Sequence, residues 1–390
     1  MDMYRKIQEN GVVGFCYCLY LALRHHGGFG QKIRFLRYAL IAKKEGVIWF
    51  RLERIATDYV NAWYTMDNMP SKEKSWYIQH GFNPRMKMFC GVMPENHMRY
   101  LSDFEFYNVK NYKNLSSASW FDNKLNTYYL LSPFSAFLPR HYFYVEKGRI
   151  LPLDVDPKRI YTAHEVLQLL KDKKVLAAKR CYGGHGEGFL KFEFGEDKVI
   201  IANGVVFTED RFCGLIDSLK GYIITDFIKP AKWIRKVAGE NSFAVMRVMT
   251  IFDELEGPRF ERVMMRIGTN KSGPTQAGHD FLYVGIDGNG SLFNCFYEYS
   301  DYCWSEMDRH PETGEVINGR VMHNMEDLRD LCISVSGFLP STPYLIFDVI
   351  PTDESFMILE INSHGQPFNF EPFDPVKGSI YFTRLFEVNQ

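Results

Sequence analysis

The chain has 390 residues, 46% apolar and 16% aromatic, with 32 Phe and 23 Tyr, which excludes a disordered chain and supplies core for two or three structural units. A formal net charge of −1 excludes a global field that would draw the protein onto nucleic acid. The eight cysteines, at 16, 18, 90, 181, 213, 295, 303 and 332, form no C-x-x-C pair and no zinc spacing, so they are expected to be free, buried thiols in a reducing cytoplasm.

Residues 1–75 read as a helical N-terminal region, broken at Gly27–Gly30, with Pro70 closing its last helix. Within it, the apolar run from Gly11 to Leu23 is too short to span a bilayer, which takes about 20 residues, and it lacks the cleavage site of a signal peptide. Basic residues follow it (Arg24, Lys32, Arg34, Arg37, Lys43, Lys44). A core helix with a solvated face explains that composition, and so does weak peripheral contact with an anionic membrane. Residues 76–170 are expected to open irregularly, with Gly81, Pro84, Gly91 and Pro94 as breakers. A helix is then expected from Asp122 into Leu131, followed by a hairpin turning at Lys147-Gly148 and a helix over 162–171 with Thr162 and Glu165 as a capping box. In 171–390 short strands dominate, expected at 175–179, 189–194, 199–201, 222–227, 243–252, 263–268, 344–350 and 356–361. Helices are expected only near 208–219 and 325–336, so the fold class is mixed α+β, helical in front and sheet-rich behind.

Two segments carry most of the chemical signal. In AAKRCYGGHGEGFLKF, Lys179 stands on a strand that enters a loop with glycines at 183, 184, 186 and 188. Glycine lets the backbone approach a ligand and aim N–H groups at phosphate oxygens. No Gly-Lys-Ser/Thr ends the loop and a strand follows it, so it is neither a Walker loop nor a dinucleotide fingerprint. A flap over phosphates fits; a flexible hairpin with no ligand is the alternative. In YLIFDVIPTDESFMILEIN, a turn near Glu354 sets Asp348 directly across from Glu360, with Asn362 on the same face and Phe347, Val349 and Ile361 on the other. Three oxygen side chains there suit a hard divalent cation; the alternative is a solvated edge whose carboxylates are held by a lysine. GYIITDFIKP breaks from an apolar strand into Asp226 and Pro230, an exit that can offer backbone groups to an adenine. Arg247 and Arg266 each interrupt an apolar run, where a guanidinium serves either a planar anion or a structural ion pair.

In this order the pieces resemble ATP-grasp enzymes, and most of all the sugar-transfer-associated ATP-grasp group found with bacterial polysaccharide genes. The likeness runs over roughly 80–385 and rests on FDNKLNTYYLL, AAKRCYGGHGEGF, YIITDFIKP, NSFAVMRVMTI, HPETGEVINGR and FDVI…ILEIN. It implies an ATP-grasp fold, in which two α+β subdomains clamp ATP. It further implies that Lys124 and Lys179 are the two ATP lysines and that Gly183, Gly184, His185, Gly186 and Gly188 form the phosphate flap. Thr225, Asp226, Phe227 and Ile228 become the adenine hinge, and Asp348, Glu360 and Asn362 hold Mg²⁺, usually two ions. Arg247 and Lys179 become the catalytic pair, with Arg247 on the transferring phosphoryl group. Two departures stand out: Lys179 is followed by Arg180 rather than proline, and AGHDFLYVGIDGNG keeps only an echo of the group's motif at His279, Asp280 and Gly285.

The activity so implied is a carboxylate–amine ligase working through an acyl phosphate, on a small-molecule or sugar-linked carboxylate and an amine or other nucleophile. A kinase for sugar or polyol hydroxyls needs a general base, for which His279 and Asp280 are the candidates. A non-catalytic nucleotide binder is the third class; three metal-type residues argue against it. Neither substrate identity nor oligomeric state is legible.

Overall fold

The structure is a computed structural model and describes residues 7–8, 10–108, 114, 117–153, 161–183, 186–195, 200–240, 242–269, 280–300 and 303–387. The chain opens with helices Gly11–Arg24, Phe29–Lys44, Leu52–Thr65 and Ser71–Gln79. Asn10 caps the first, its side chain accepting from Val12 and Val13 N–H. Pro70 does not end the helical region. It stands at the cap of Ser71–Gln79, where its missing N–H costs nothing, and two short helices, Met86–Cys90 and Asp103–Phe106, follow where irregular chain was expected.

Seven strands form the first sheet: β1 (His141–Glu146), β2 (Arg149–Pro152), β3 (Val175–Arg180), β4 (Leu190–Phe194), β5 (Ile200–Ala202), β6 (Val205–Phe207) and β7 (Lys220–Asp226). Their order is β2-β1-β7-β3-β4-β5-β6, with antiparallel neighbours. Lys147 and Gly148, both at positive φ, join β1 to β2 as a two-residue hairpin demands. Asn203-Gly204 does the same between β5 and β6, an Asn-Gly signal that the strand expectations above pass over. The helix after β2 runs Ala163–Lys173, and the Glu165 carboxylate accepts from Thr162 N–H as the capping box requires.

The second sheet holds β8 (Ala244–Asp253), β9 (Gly257–Gly268), β10 (Phe281–Ile286), β11 (Leu292–Ser300), β12 (Cys303–Glu306), β13 (Tyr344–Pro351) and β14 (Phe356–Asn362), ordered β12-β11-β10-β9-β8-β13-β14 and again antiparallel. Strands β6 and β10–β12, and the helices Lys232–Ala238 and Ile380–Phe386, were not expected.

Strand alternation splits the second sheet between two cores. Met246, Val248, Met265, Leu345 and Phe347 pack toward helix Met325–Phe338. Met249, Ile251, Met264, Phe281, Tyr344 and Ile346 pack under the N-terminal helices. A third core lies between the first sheet and helices Ala163–Lys173 and Glu209–Ser218. All seven cysteines whose side chains are described are free; Cys16, contrary to expectation, is exposed. No helix among the described residues is long and apolar enough to cross a membrane.

Glu371 is fully buried between the N-terminal region and the C-terminal segment, and it accepts a hydrogen bond from Leu101 N–H at 3.2 Å. Burial pushes its carboxyl up to about 8, against an ordinary 4.5. A raised folded-state pKa means that the native state binds a proton the unfolded chain has lost. Its contribution to stability is complete below 4.5 and disappears as pH climbs through about 8. Glu371→Gln cannot lose that proton. Its Tm relative to the parent is therefore expected to rise steadily across that window, which thermal unfolding at a series of pH values checks.

Candidate active site

A cavity of about 220 Å³ lies between the two sheets. Its first wall comes from β3 and β4. Alternation sends Ala178 and Phe192 into the core while Ala177, Lys179, Lys191 and Glu193 face the cavity. Its second wall comes from β13 and β14, through Asp348, Ile350, Leu359 and Glu360. The segment Asp226–Pro230 leaves β7 along one side, and Gly183, Gly186 and Glu187 of the glycine loop lie over it. Gly184 and His185 lie outside the described residues, as does His279.

Asp348 pairs with Glu360 across β13 and β14, the register that the sequence predicts. A bulge follows immediately, since Val349 pairs with Ile358 and leaves Leu359 as the extra residue. The bulge lets Leu359 and Glu360 both line the cavity while Phe347, Val349, Ile358 and Ile361 stay in the core. On the other flank Asp348 pairs with Arg247 of β8, whose Nε lies 3.5 Å from Asp348 Oδ1. Residues opposed in this way share a face, so Arg247, Asp348 and Glu360 form one row across three strands. Arg247 does not itself line the cavity; it reaches it through Asp348. Asn362 pairs with Ile346, in the adjacent row of the same face, and does not line the cavity either.

Lys124 opens helix Lys124–Leu130, whose cap is Asn123. Its ammonium sits 3.3 Å from Glu360 Oε1 and donates to the Gly183 carbonyl at 2.8 Å. One lysine thus links the acidic hairpin of the second sheet to the loop of the first. Lys179 is part-buried beside it, and its ammonium is pulled down to about 8, first by burial and then by Lys124, with Glu360 opposing both. The lysine-held carboxylate that competed with the metal in the sequence is therefore present in this arrangement, and the donor set still suits a cation. Asp348 and Glu360 offer oxygens only, as two carboxylates facing each other, with Asn362 one row away on the same face. Among the described residues no cluster of three or more His, Cys, Asp and Glu suggests another metal site.

Of the hinge residues, Asp226, Phe227 and Ile228 line the cavity. Thr225 is buried in an adjoining recess that shares Lys124, Lys179 and Glu360 with it. The Asp226 carboxylate is tied within the sheet by the Tyr142 hydroxyl at 2.7 Å. Several lining residues were not singled out in advance. The Lys191 ammonium lies 5.0 Å from the centre of the Phe227 ring and 2.8 Å from Glu193 Oε1. Ser242, buried at the cavity edge, has a hydroxyl with no hydrogen-bond partner among the described residues. The parity of FLKFEF after the glycine loop would have found Lys191, two residues before Glu193 on the same face.

Residues 105–389 match the family described as sugar-transfer associated ATP-grasp. The chain belongs to that family. The matched span takes in both sheets and the cavity between them, and the fold is an ATP-grasp fold with a helical N-terminal region. No curated protein matches the chain. Similar solved structures include the ATP-grasp ligase PsnB in complex with a minimal precursor, at 11% identity, covering 71% of this chain and 62% of that one with a TM-score of 0.36. The D-alanine–D-alanine ligase of Bacillus anthracis is 12% identical, covering 71% of this chain and 68% of that one with a TM-score of 0.35. D-cycloserine synthetase DcsG is 10% identical, covering 70% and 72% with a TM-score of 0.36. The chain thus spans under two thirds of the length of PsnB.

Gly188 gives the glycine loop a testable dependence. It sits at φ +71, and a Cβ there would meet the Tyr222 hydroxyl at 2.6 Å and Arg180 Nε at 2.8 Å. Those two groups are side-chain ends on the strands below the loop and can move aside, so Gly188→Ala acts chiefly through backbone strain of about 1–3 kcal/mol at a positive φ. Nucleotide affinity measured by calorimetry is expected to fall about tenfold. Gly204→Ala, at φ +81 with nothing within 4 Å and outside the cavity, should leave affinity unchanged.

Proposed function

We propose that the protein is an ATP- and magnesium-dependent ligase that joins a carboxylate to an amine or another nucleophile through an acyl phosphate. The carboxylate is a small molecule or sugar-linked, and the setting is cytoplasmic polysaccharide or sugar-conjugate modification. The observation that carries this reading is the convergence of Lys124, Lys179, Asp348 and Glu360 on one cavity between two sheets, beneath a glycine loop, in a chain of the ATP-grasp family. The reading divides the chain into a helical region 1–75, a linking part 76–170 and a nucleotide module 171–390.

In this reading the glycine loop, Gly183–Gly188 with His185, turns N–H groups toward the phosphates, and Thr225–Ile228 carries the adenine. Lys124 and Lys179 set two ammonium groups against the phosphate oxygens. Asp348, Glu360 and Asn362 hold Mg²⁺, two ions in the full proposal, and bound Mg²⁺ supplies neutralisation of the phosphate charge. A carboxylate oxygen attacks the γ-phosphorus, the bond to the bridging oxygen breaks, and ADP leaves. The amine nitrogen then attacks the acyl carbon, phosphate departs with the C–O bonding pair, and the amine proton passes to solvent. Arg247 stabilises charge on the phosphoryl group in flight. Most of the rate comes from positioning and fixed charge. The kinase alternative needs a base, and the described candidate, Asp280, already accepts a hydrogen bond from the Tyr297 hydroxyl at 2.7 Å.

With carboxylate and amine pools supplied, ATP turnover is expected to release free phosphate. With the amine omitted, hydroxylamine should convert the acyl phosphate to a hydroxamate detectable by mass spectrometry. A stable phosphorylated product without free phosphate would reject the ligase and point to a kinase.

Side-chain roles separate by kinetics. Arg247→Ala is expected to lower kcat by about 10²- to 10³-fold while KM for ATP moves far less. Glu360→Gln should retain the fold by circular dichroism and lose turnover; a Glu360→Gln enzyme of normal rate would remove Glu360 from the metal site.

A further inference from the structure

Helix Gly11–Arg24 is apolar on two opposite faces. Gly14, Cys18, Leu21 and Ala22 are buried. Val12, the adjacent Phe15 and Cys16, Leu19 and Leu23 lie along the solvent side, each three or four residues from another of the set, with Val12 73% and Leu23 64% exposed. The surface continues past the turn. Phe29, at the first position of helix Phe29–Lys44, is 82% exposed, and Ile33 follows one turn later. Lys32 fastens the two helices by donating to the Leu23 carbonyl at 2.8 Å.

The segment that carries this surface has charges of one sign, with the exposed Glu53 of helix Leu52–Thr65 close to Tyr17 and His25. From Asn10 to Lys44 the sequence contains no Asp or Glu and carries Arg24, Lys32, Arg34, Arg37, Lys43 and Lys44. The whole chain has a net charge of −1, so this segment stands out against a net-acidic remainder. Arg24 and Arg37 are exposed, and among the described residues neither forms an ion pair. Arg24 instead donates to the exposed Tyr20 hydroxyl at 2.8 Å.

We propose that this face docks on an anionic lipid bilayer, with the helix Gly11–Arg24 lying in the interface and Phe29 inserted at the tip. A helix of 14 residues is about 21 Å long, less than the roughly 30 Å hydrocarbon core, so it lies along the surface and does not cross it. An apolar stripe with the exposed guanidinium groups of Arg24 and Arg37 beside it matches lipid tails beneath anionic headgroups. A protein partner would have to supply acidic groups around the same apolar stripe. A second copy would bring the same cations face to face. Docking of this kind holds the enzyme at a membrane independently of which reaction the cavity runs.

The test is co-sedimentation of the full-length protein with vesicles. Vesicles of phosphatidylcholine with phosphatidylglycerol should pellet the protein at low salt; pure phosphatidylcholine should not, and added salt should release it. Val12→Ser with Phe29→Ser, both at exposed first-turn positions that accept serine, should weaken binding about tenfold without changing charge. Arg24→Gln and Arg37→Gln should each weaken it about fivefold without changing the apolar surface. Unchanged circular dichroism and nucleotide affinity in all three variants show that the fold is kept. Failure to pellet with anionic vesicles, equal pelleting with neutral ones, or sensitivity to only one class of substitution overturns the proposal. A dimer in sedimentation velocity that Val12→Ser with Phe29→Ser dissolves overturns it in favour of a second copy.

Discussion

Two carboxylates facing each other across a strand pair govern the rest of this site. Asp348 and Glu360 are register partners, and Asp348 is buried. Like charges directly opposed in a sheet repel, and burial strengthens the repulsion by removing solvent screening. The arrangement persists because each carboxylate has its own cation, Arg247 from β8 on one flank and Lys124 on the other. Arg247 comes from the same sheet. Lys124 comes from a helix whose side chain also holds the carbonyl of Gly183, so neutralising Glu360 draws the glycine loop toward the second sheet.

Around Glu360 two ammonium groups, Lys124 and Lys179, stand against one carboxylate, while the cavity lining as a whole carries six Lys or Arg and six Asp or Glu. Lys179 shows the strain of this crowding, since burial and the neighbouring ammonium together bring it down to about 8. An anion bound beside the two ammonium groups would relieve that cost, because Glu360 alone offsets only part of it. The cavity and the loop over it are therefore coupled through the lysines.

How much was legible in the sequence follows from how local each signal is. The acidic hairpin was readable because a tight turn fixes register, and register fixes which side chains share a face. The bulge at Leu359 was not read, although it shifts the alternation and puts Ile358 and Ile361, three residues apart, in the same core. The glycine loop over the cavity declared itself by composition, but Lys191 needed the parity of the strand after it. Strands β10 to β12 were missed because Phe281–Ile286 is buried throughout and shows no alternation, and because β11 and β12 mix aromatic and polar residues without a period. Helix Ser71–Gln79 was hidden by the breakers that follow it. Contacts such as Lys124 with Glu360 join residues far apart in the chain; the sequence offered a lysine for these carboxylates but could not say which one.

The functional row and the core are also neighbours on one surface. Along β8 and β13 the next row on the same face as Arg247 and Asp348 is Met249 with Ile346, and the one after is Ile251 with Tyr344. Within about 7 Å the sheet passes from paired charges to the apolar core beneath the N-terminal helices. Asn362 lies in that intermediate row, opposite Ile346. The N-terminal region is thus more than an appendage. By burying Met249, Ile251, Tyr344 and Ile346 it fixes the backbone on which Arg247 and Asp348 stand, and it leaves the charged row as the place where this face of the sheet opens to the cavity.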